Sequence, residues 1–209
     1  MTRDAVNRPF AESCVENREP IAAVLRGRLT RCSTLLEIGS GTGQHAVYFA
    51  PELPHLTWHT SDRAENLDGI NAWLDAEPSD NIRRPIRLDV LEDRWPGGPF
   101  DAVFSANTAH IMPTGAVEAM FRGVGRVLAD AGLFLLYGPF SYDGRHNAPS
   151  NARFDAWLKD RDPAMGVRDL TWLTELATAQ GLVLEEDVEM PVNNRILVWR
   201  KGSQFAAPG

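Results

Sequence analysis

The stretch Leu35-Leu36-Glu37-Ile38-Gly39-Ser40-Gly41-Thr42-Gly43 constrains this chain more than any other. A short apolar run stopped by glycine, then helical periodicity, reads as a buried strand, a tight turn and a helix. Glycine is required where backbone takes positive φ or lies close against a ligand. Such a turn opens onto a helix N-terminus, whose first backbone N–H groups have no partner within the helix. The pattern therefore builds a place where main chain can approach a ligand closely.

The same alternation repeats around it. Residues 34–38 read as the first strand and 45–50 as the helix after the turn. Residues 56–60, 85–90, 100–105 and 132–137 read as further strands. Residues 64–77 form a helix with Leu67, Ile70, Trp73 and Leu74 on one face. Residues 117–128 and 170–180 are also helical, the last closed by Gly181. Residues 183–190 and 195–199 are the final strands, joined by a turn at Pro191-Val192-Asn193-Asn194. Upstream, Pro20 suits the first turn of a helix carrying Ile21, Val24, Leu25 and Leu29 at helical spacing, and a shorter helix is expected over 9–17.

Strands alternating with helices imply an α/β fold with a mostly parallel sheet and right-handed crossovers. Two last strands without a helix between them imply an antiparallel pair at one edge. The domain plan expected is a single domain over 1–201. Within it, 1–30 is a helical cover and 139–169 an insertion, and 202–209 is a disordered tail. The polar, aromatic insertion follows a strand's carboxyl end, the side where open α/β sheets bind ligands.

Composition narrows the partners. With 209 residues, 44% of them hydrophobic, the chain can bury the core of one such domain. A net charge of −7 argues against a nucleic-acid partner. No apolar run approaches the roughly 18 residues of a membrane span, and Met1 to Asn7 lacks a signal peptide's apolar core. Cys14 and Cys32 have no metal-ligand companions, so they read as free thiols in a reducing compartment. A cytoplasmic location is expected, with no membrane, no nucleic acid and no metal. Nothing in the residues fixes an oligomeric state.

Two ligand classes compete for the glycine turn. A dinucleotide wants G-x-G-x-x-G, with pyrophosphate on the helix N-terminus. Here the spacing is G-x-G-x-G, and Gln44 stands where the last dinucleotide glycine belongs. S-adenosylmethionine, which has no phosphate, needs close backbone approach more than an anion hole. Glu37 repels pyrophosphate but tolerates a sulfonium cation. Asp62, at the end of the second strand about twenty residues on, is placed to accept both ribose hydroxyls; it could instead cap the helix that follows. Asp89 and Val90 end the third strand, where a carboxylate can accept the adenine amino group and Val90 can lie against the ring; a solvated loop Asp is the alternative. Thr42 in the turn and Arg63 beside Asp62 join the cofactor set. The fourth strand ends in Ala106-Asn107-Thr108-Ala109-His110, with Asn107 expected at the methionine part.

These residues resemble class I S-adenosylmethionine-dependent methyltransferases, and more closely the methyltransferase-like family catalogued as domain of unknown function 938. The resemblance runs from about Arg8 to Lys201 and is carried by several stretches. They are Arg8-Pro9-Phe10-Ala11-Glu12-Ser13, Glu37 through His45, Ser61-Asp62-Arg63-Ala64-Glu65-Asn66, Asn107-Thr108-Ala109-His110-Ile111-Met112, Tyr137-Gly138-Pro139-Phe140, Ser150 through Asp155, and Asn193-Asn194-Arg195. Ala109 departs from the larger apolar residue expected there. The resemblance implies a Rossmann-like, seven-stranded sheet with its last strand antiparallel and helices on both faces. It also implies cofactor contacts at Gly39, Gly41, Gly43, Asp62, Asp89, Val90 and Asn107. It implies no substrate.

The chemistry implied is methyl transfer to a small molecule by in-line displacement, for which positioning alone can supply up to about 7–11 kcal/mol. His110 is the candidate base, the alternative being a histidine that caps or packs at that turn, and Tyr137 is a second catalytic candidate at the end of the fifth strand. The insertion offers Tyr142, Arg145, Asn151 and Phe154 for the substrate, with Arg145 or Arg161 available to an anionic group. Phe10, Ser13 and Asn17 are placed either to fold over the cofactor or to belong to a helix that merely covers the sheet edge. The Asn-Pro-Pro-Tyr of many nucleobase and amide methyltransferases is replaced by Asn107-Thr108-Ala109-His110, which argues against such acceptors. The alternatives are a nicotinamide-dependent oxidoreductase and a non-catalytic module that binds the cofactor.

Overall fold

The structure, a computed structural model, describes residues 8–92 and 94–203. The expectations for Met1 to Asn7 and for residues 204–209 of the tail lie outside the described residues. The chain divides into two units, Met1–Asp89 and Val90–Gly209.

The first unit runs α1 (Glu12–Arg28), β1 (Thr34–Glu37), α2 (Gln44–Glu52), β2 (Thr57–Asp62), α3 (Leu67–Ala76) and β3 (Ile82–Arg87), with a 3-10 turn at Ala64–Asn66 leading into α3. β1 pairs parallel with β2, and β2 with β3. Leu35, Leu36 and Trp58 are wholly buried, as a strand covered on both faces requires. Val47 of α2 meets Ile70 and Leu74 of α3, with Leu67, Trp73 and Ile82 packed against them.

Contrary to the expected start of a second helix there, Pro20 lies inside a single helix α1. Proline cannot donate to the carbonyl four residues back, which normally breaks a helix. Burial of Ile21, Ala22 and Leu25 beyond it holds the helix together across the missing bond.

The second unit runs β4 (Phe100–Ala106), α4 (Thr114–Val127), β5 (Leu128–Gly138), β6 (Phe140–Tyr142), β7 (Arg145–His146), α5 (Pro149–Arg161), β8 (Arg168–Asp169), α6 (Leu170–Thr178), β9 (Leu182–Glu189) and β10 (Arg195–Lys201). β4 is parallel to β5, while β10 is antiparallel to both β5 and β9. Its core centres on Phe121 of α4, edge-on to Phe134 of β5 and to Trp199 of β10, with ring centroids 5.3 and 5.5 Å away.

The strands form a seven-stranded sheet in the order β3-β2-β1-β4-β5-β10-β9, parallel except for the last strand of the chain, with flanking helices. This is the Rossmann-like fold class read from the sequence. Residues 139–169 are more ordered than a long connection implies: α5 stands beside a small sheet ordered β7-β6-β8. Asp169 ties that sheet together, accepting the Ser141 hydroxyl at 3.0 Å and the Gly144 N–H at 2.8 Å while capping α6 through the Thr171 N–H at 2.9 Å. Among the described residues no helix is long and apolar enough to cross a membrane.

Candidate functional site

The glycine elbow lies in the first unit. Gly39, Gly41 and Gly43 have φ of 70°, 59° and 91°. A side chain at Gly41 would meet nothing within 4 Å, so this glycine leaves open space beside its backbone. Gly43 serves packing instead: a Cβ there would stand 3.1 Å from the Ile70 Cα, so its lack of side chain lets α2 and α3 close together.

Asp62, at the end of β2, reaches back to the elbow. Its Oδ2 accepts the Gly41 N–H at 2.7 Å. Its Oδ1 accepts the Arg63 N–H at 2.7 Å and the Asn66 amide at 2.8 Å. A carboxylate has about four lone-pair sites, so the remaining capacity lies on Oδ2, on the Gly41 side. The Leu88 N–H donates to the Asp62 carbonyl at 2.8 Å, which brings the end of β3, with half-buried Asp89, next to the end of β2. Thr42 is half-buried in the turn and Arg63 is exposed.

Glu37 sits beneath the elbow, not on it. Its carboxylate is buried and accepts the Ser40 hydroxyl at 2.8 Å and the Trp58 indole N–H at 3.0 Å. Burial, reinforced by the charge of Asp62, pushes its pKa up to about 7, against the pull of those two donors. Near neutral pH it therefore carries only part of a charge, and its repulsion of a pyrophosphate is weaker than the sequence implies.

Gln44, the residue in the place of the dinucleotide glycine, has a task the sequence did not reveal. Its side-chain oxygen accepts the Ala11 N–H at 2.6 Å and the Thr42 hydroxyl at 3.0 Å, tying the N-terminal segment to the elbow. Beside it, His45 Nε2 lies 2.7 Å from the Asn17 Oδ1, and burial pushes its pKa down to about 4. Asn17 thus reaches the residue that follows Gln44, whereas Phe10 and Ser13 stay exposed.

The second unit holds a cavity of about 250 Å³. Asn107, His110, Asn151, Phe154, Val192 and Asn194 line it. Asn107 and His110, expected at the end of the fourth strand, and Asn151 and Phe154, expected in the insertion, therefore line one cavity. Asn107 sits at the end of β4 in the left-handed region, φ 59°, which Asn tolerates better than most residues. Its amide has no hydrogen-bond partner among the described residues.

His110 is 7% exposed, and its ring too has no hydrogen-bond partner among the described residues. It lies edge-on to Phe154 with centroids 5.3 Å apart. Burial, with the positive charge of Arg168 adding to it, pushes the imidazole pKa down to about 4, so the ring is neutral at pH 7. Tyr137 is buried and reaches the cavity through a neighbour: its hydroxyl accepts the Asn194 amide at 3.0 Å.

Tyr142 and Arg145 do not line this cavity. The Tyr142 hydroxyl donates to Asp187 on β9 at 2.8 Å, and Arg145 is exposed on β7. Arg161 stacks over Trp157 at 3.9 Å. Sequence reasoning also missed Arg168. Its guanidinium donates to the carbonyls of Ala109 at 3.0 Å and Ala164 at 2.8 Å, and to that of Met112. It thereby fixes the turn that carries His110. Two of those carbonyls are more than fifty residues away in sequence, so no local pattern marks the clamp.

A family model described as "Protein of unknown function (DUF938)" matches residues 8–201. Among solved structures, an O-methyltransferase family protein from Burkholderia thailandensis superposes with a TM-score of 0.80 at 16% identity, over 92% of this chain and 58% of that one. The mitomycin 7-O-methyltransferase gives 0.79 at 16% identity, over 91% and 54%. Human N-acetylserotonin methyltransferase in complex with S-adenosylmethionine gives 0.71 at 16%, over 89% and 55%. The chain spans little more than half the length of these proteins, and at such identities the likeness is one of fold.

Proposed function

Since the chain belongs to the DUF938 family, we propose that it is an S-adenosylmethionine-dependent methyltransferase acting on a small molecule, with the elbow of the first unit as the donor site. The observation that carries this reading is the pairing of Gly41 with Asp62: a positive-φ glycine with open space beside it, held by a carboxylate that keeps acceptor capacity on the same side. A ribose presents two vicinal hydroxyls, and an acid at the end of the second strand suits them.

The residues fit the donor. Gly39, Gly41 and Thr42 would bring backbone against it, with Gly43 shaping the turn. Asp62 would hold the ribose, with Arg63 beside it, and Asp89 and Val90 would take the adenine. Glu37 supports the elbow from below. The tie between Gln44 and Ala11 favours this ligand over a dinucleotide, because that position carries a side chain engaged with the protein instead of a glycine.

When bound, the donor supplies an electrophilic methyl carbon whose bond to sulfur breaks as the acceptor's lone pair attacks, the bonding electrons staying on sulfur. His110 would accept the hydrogen bond of the acceptor's hydroxyl and orient its lone pair. A neutral imidazole of low pKa passes the released proton on to solvent instead of keeping it. Tyr137 would act through Asn194, which it holds in place. Asn151 and Phe154 would line the acceptor site. Tyr142 and Arg145 are left out of it, because Tyr142 is bonded to Asp187 and Arg145 is exposed on β7.

The test is a screen of metabolite extracts with the full chain and a donor labelled in its methyl group, with mass spectrometry of the labelled products. A labelled product that disappears in the Asp62→Ala variant supports the reading. Donor binding with no labelled product from any extract favours the non-catalytic module.

A further inference from the structure

We propose that the cavity of the second unit selects an uncharged acceptor: a hydroxyl compound of about one ring, bound through its hydroxyl by His110 and through a second polar atom by Asn107. This rests on the methyl-transfer reading for the word acceptor; the selection against charge rests on the cavity alone.

Every polar group lining the cavity is neutral. Three are amides, Asn107, Asn151 and Asn194, joined by the Ser150 hydroxyl and the His110 imidazole. Arg153 of α5 is exposed, and other charged side chains nearby are engaged elsewhere. Arg168 spends its guanidinium on backbone carbonyls. Arg195 pairs with Asp187 at 2.7 Å and with Glu189 at 3.6 Å. Asp155 is held by Lys159 at 2.6 Å and accepts the Val167 N–H at 2.8 Å. A carboxylate or ammonium entering the cavity would lose water and gain no counter-ion, and burial of an unpaired ion is strongly unfavourable.

What the cavity does offer is hydrogen bonding that the protein leaves unused. His110 is 7% exposed and Asn107 half-buried, and neither side chain has a hydrogen-bond partner among the described residues. A neutral imidazole with one lone pair accepts a ligand hydroxyl, and an amide both donates and accepts. Asn151 and Asn194 are already held, by Asn147 and the Asn193 carbonyl and by Tyr137, so they present fixed walls. The remaining walls are flat or branched and apolar: Pro139, Phe154 and Val192. At about 250 Å³ the space is below the roughly 300–1,000 Å³ of pockets for drug-sized ligands, which limits the ligand to about one substituted ring.

Val192 is 80% exposed and has φ 60°, a left-handed conformation that a β-branched residue adopts at a cost. The next residue, Asn193, is also left-handed, and the Asn193 carbonyl takes the Asn151 amide at 3.0 Å. The strained pair thus sets a branched apolar side chain at the cavity, and strain of this kind collects where a ligand is held.

The experiment titrates three probes that share a ring and a hydroxyl and differ in charge: 4-hydroxybenzyl alcohol, 4-hydroxybenzoate and 4-hydroxybenzylamine. The full chain is first titrated with S-adenosylhomocysteine, then each probe is added to the saturated protein and its dissociation constant measured. The alcohol is expected to bind at least tenfold more tightly than either charged probe. Equal or tighter binding of a charged probe, or no binding of the alcohol, overturns the proposal. Failure of the first titration sinks the donor reading instead, and the probe ranking is then still measured on the protein alone. Asn107→Asp puts a carboxylate where no internal bond is lost, and is expected to shift the ranking toward the amine by tenfold or more; an unchanged ranking places the probes elsewhere and overturns the proposal. Val192→Gly guards against misfolding of that variant. It is expected to raise the melting temperature by relieving strain while weakening the alcohol several-fold; unchanged alcohol binding means the ring does not sit in this cavity and overturns the proposal.

Discussion

The carboxylate of Asp62 accepts the backbone N–H of Gly41 at 2.7 Å, joining the end of β2 to the middle of the glycine elbow. The acid therefore does two things in one geometry: it fixes the turn and keeps acceptor capacity beside it. Asp62→Ala is expected to weaken S-adenosylhomocysteine binding by about 1–3 kcal/mol, the scale of hydrogen bonds to charged groups. An unchanged dissociation constant would remove Asp62 from the donor site.

The two glycines on either side of Thr42 are expected to fail differently. Gly41→Ala adds a methyl to open space and costs about 1–2 kcal/mol for its left-handed backbone. Gly43→Ala carries a similar cost plus a close approach to Ile70, adding about 1–3 kcal/mol for overpacking. Thermal melts should rank Gly43→Ala as the less stable, while calorimetry should show the larger loss of donor affinity per kcal/mol of stability in Gly41→Ala. The reverse order in both would contradict the division of roles.

Stability should depend on pH through three buried groups of opposite sign. His45 and His110 have pKa values pushed down to about 4 from 6.5, so the unfolded chain takes up their protons first and stability falls as pH drops from about 6.5 to 4. At about 1.4 kcal/mol per unit, each contributes a loss of about 3 kcal/mol. Glu37 works the other way. Raised to about 7 from 4.5, it stabilises fully below pH 4.5, and that contribution is lost as pH rises to about 7. Urea melts of Glu37→Gln should therefore show an advantage over the parent that grows between pH 4.5 and 7. An advantage constant with pH would mean that Glu37 titrates normally.

Arg168→Met is expected to leave the Ala109, Met112 and Ala164 carbonyls without their donor, destabilising the protein by about 3 kcal/mol. Because the guanidinium charge contributes to the low pKa of His110, the variant should also raise that pKa, read by NMR titration of the ring. A loss of stability with the His110 titration unmoved would separate the two effects and contradict the electrostatic link.

The strand–glycine–helix alternation was legible because it is local. Leu35 and Leu36 are buried, Gly39 and Gly41 have positive φ, and Asp62 ends β2 as its spacing predicts. Boundaries moved where tertiary burial outweighed local signals, as at Pro20 inside α1 and at β3, which runs Ile82–Arg87 instead of 85–90. The small sheet of β6, β7 and β8 escaped notice because strands of two or three residues carry no periodicity. Asn107, His110, Asn151 and Phe154 were singled out and meet at one cavity, whereas Tyr142 and Arg145 do not join them. Asn194 and Arg168 were not singled out as site residues, since their partners, Tyr137 and Ala109, are 57 and 59 positions distant.

The central claim is that the elbow of the first unit binds an adenosyl sulfur ligand. Titration calorimetry of the full chain with S-adenosylhomocysteine, with NAD as comparator, tests it most directly. Saturable binding of S-adenosylhomocysteine with little or none of NAD is the result expected. Tight binding of NAD and none of S-adenosylhomocysteine would contradict it.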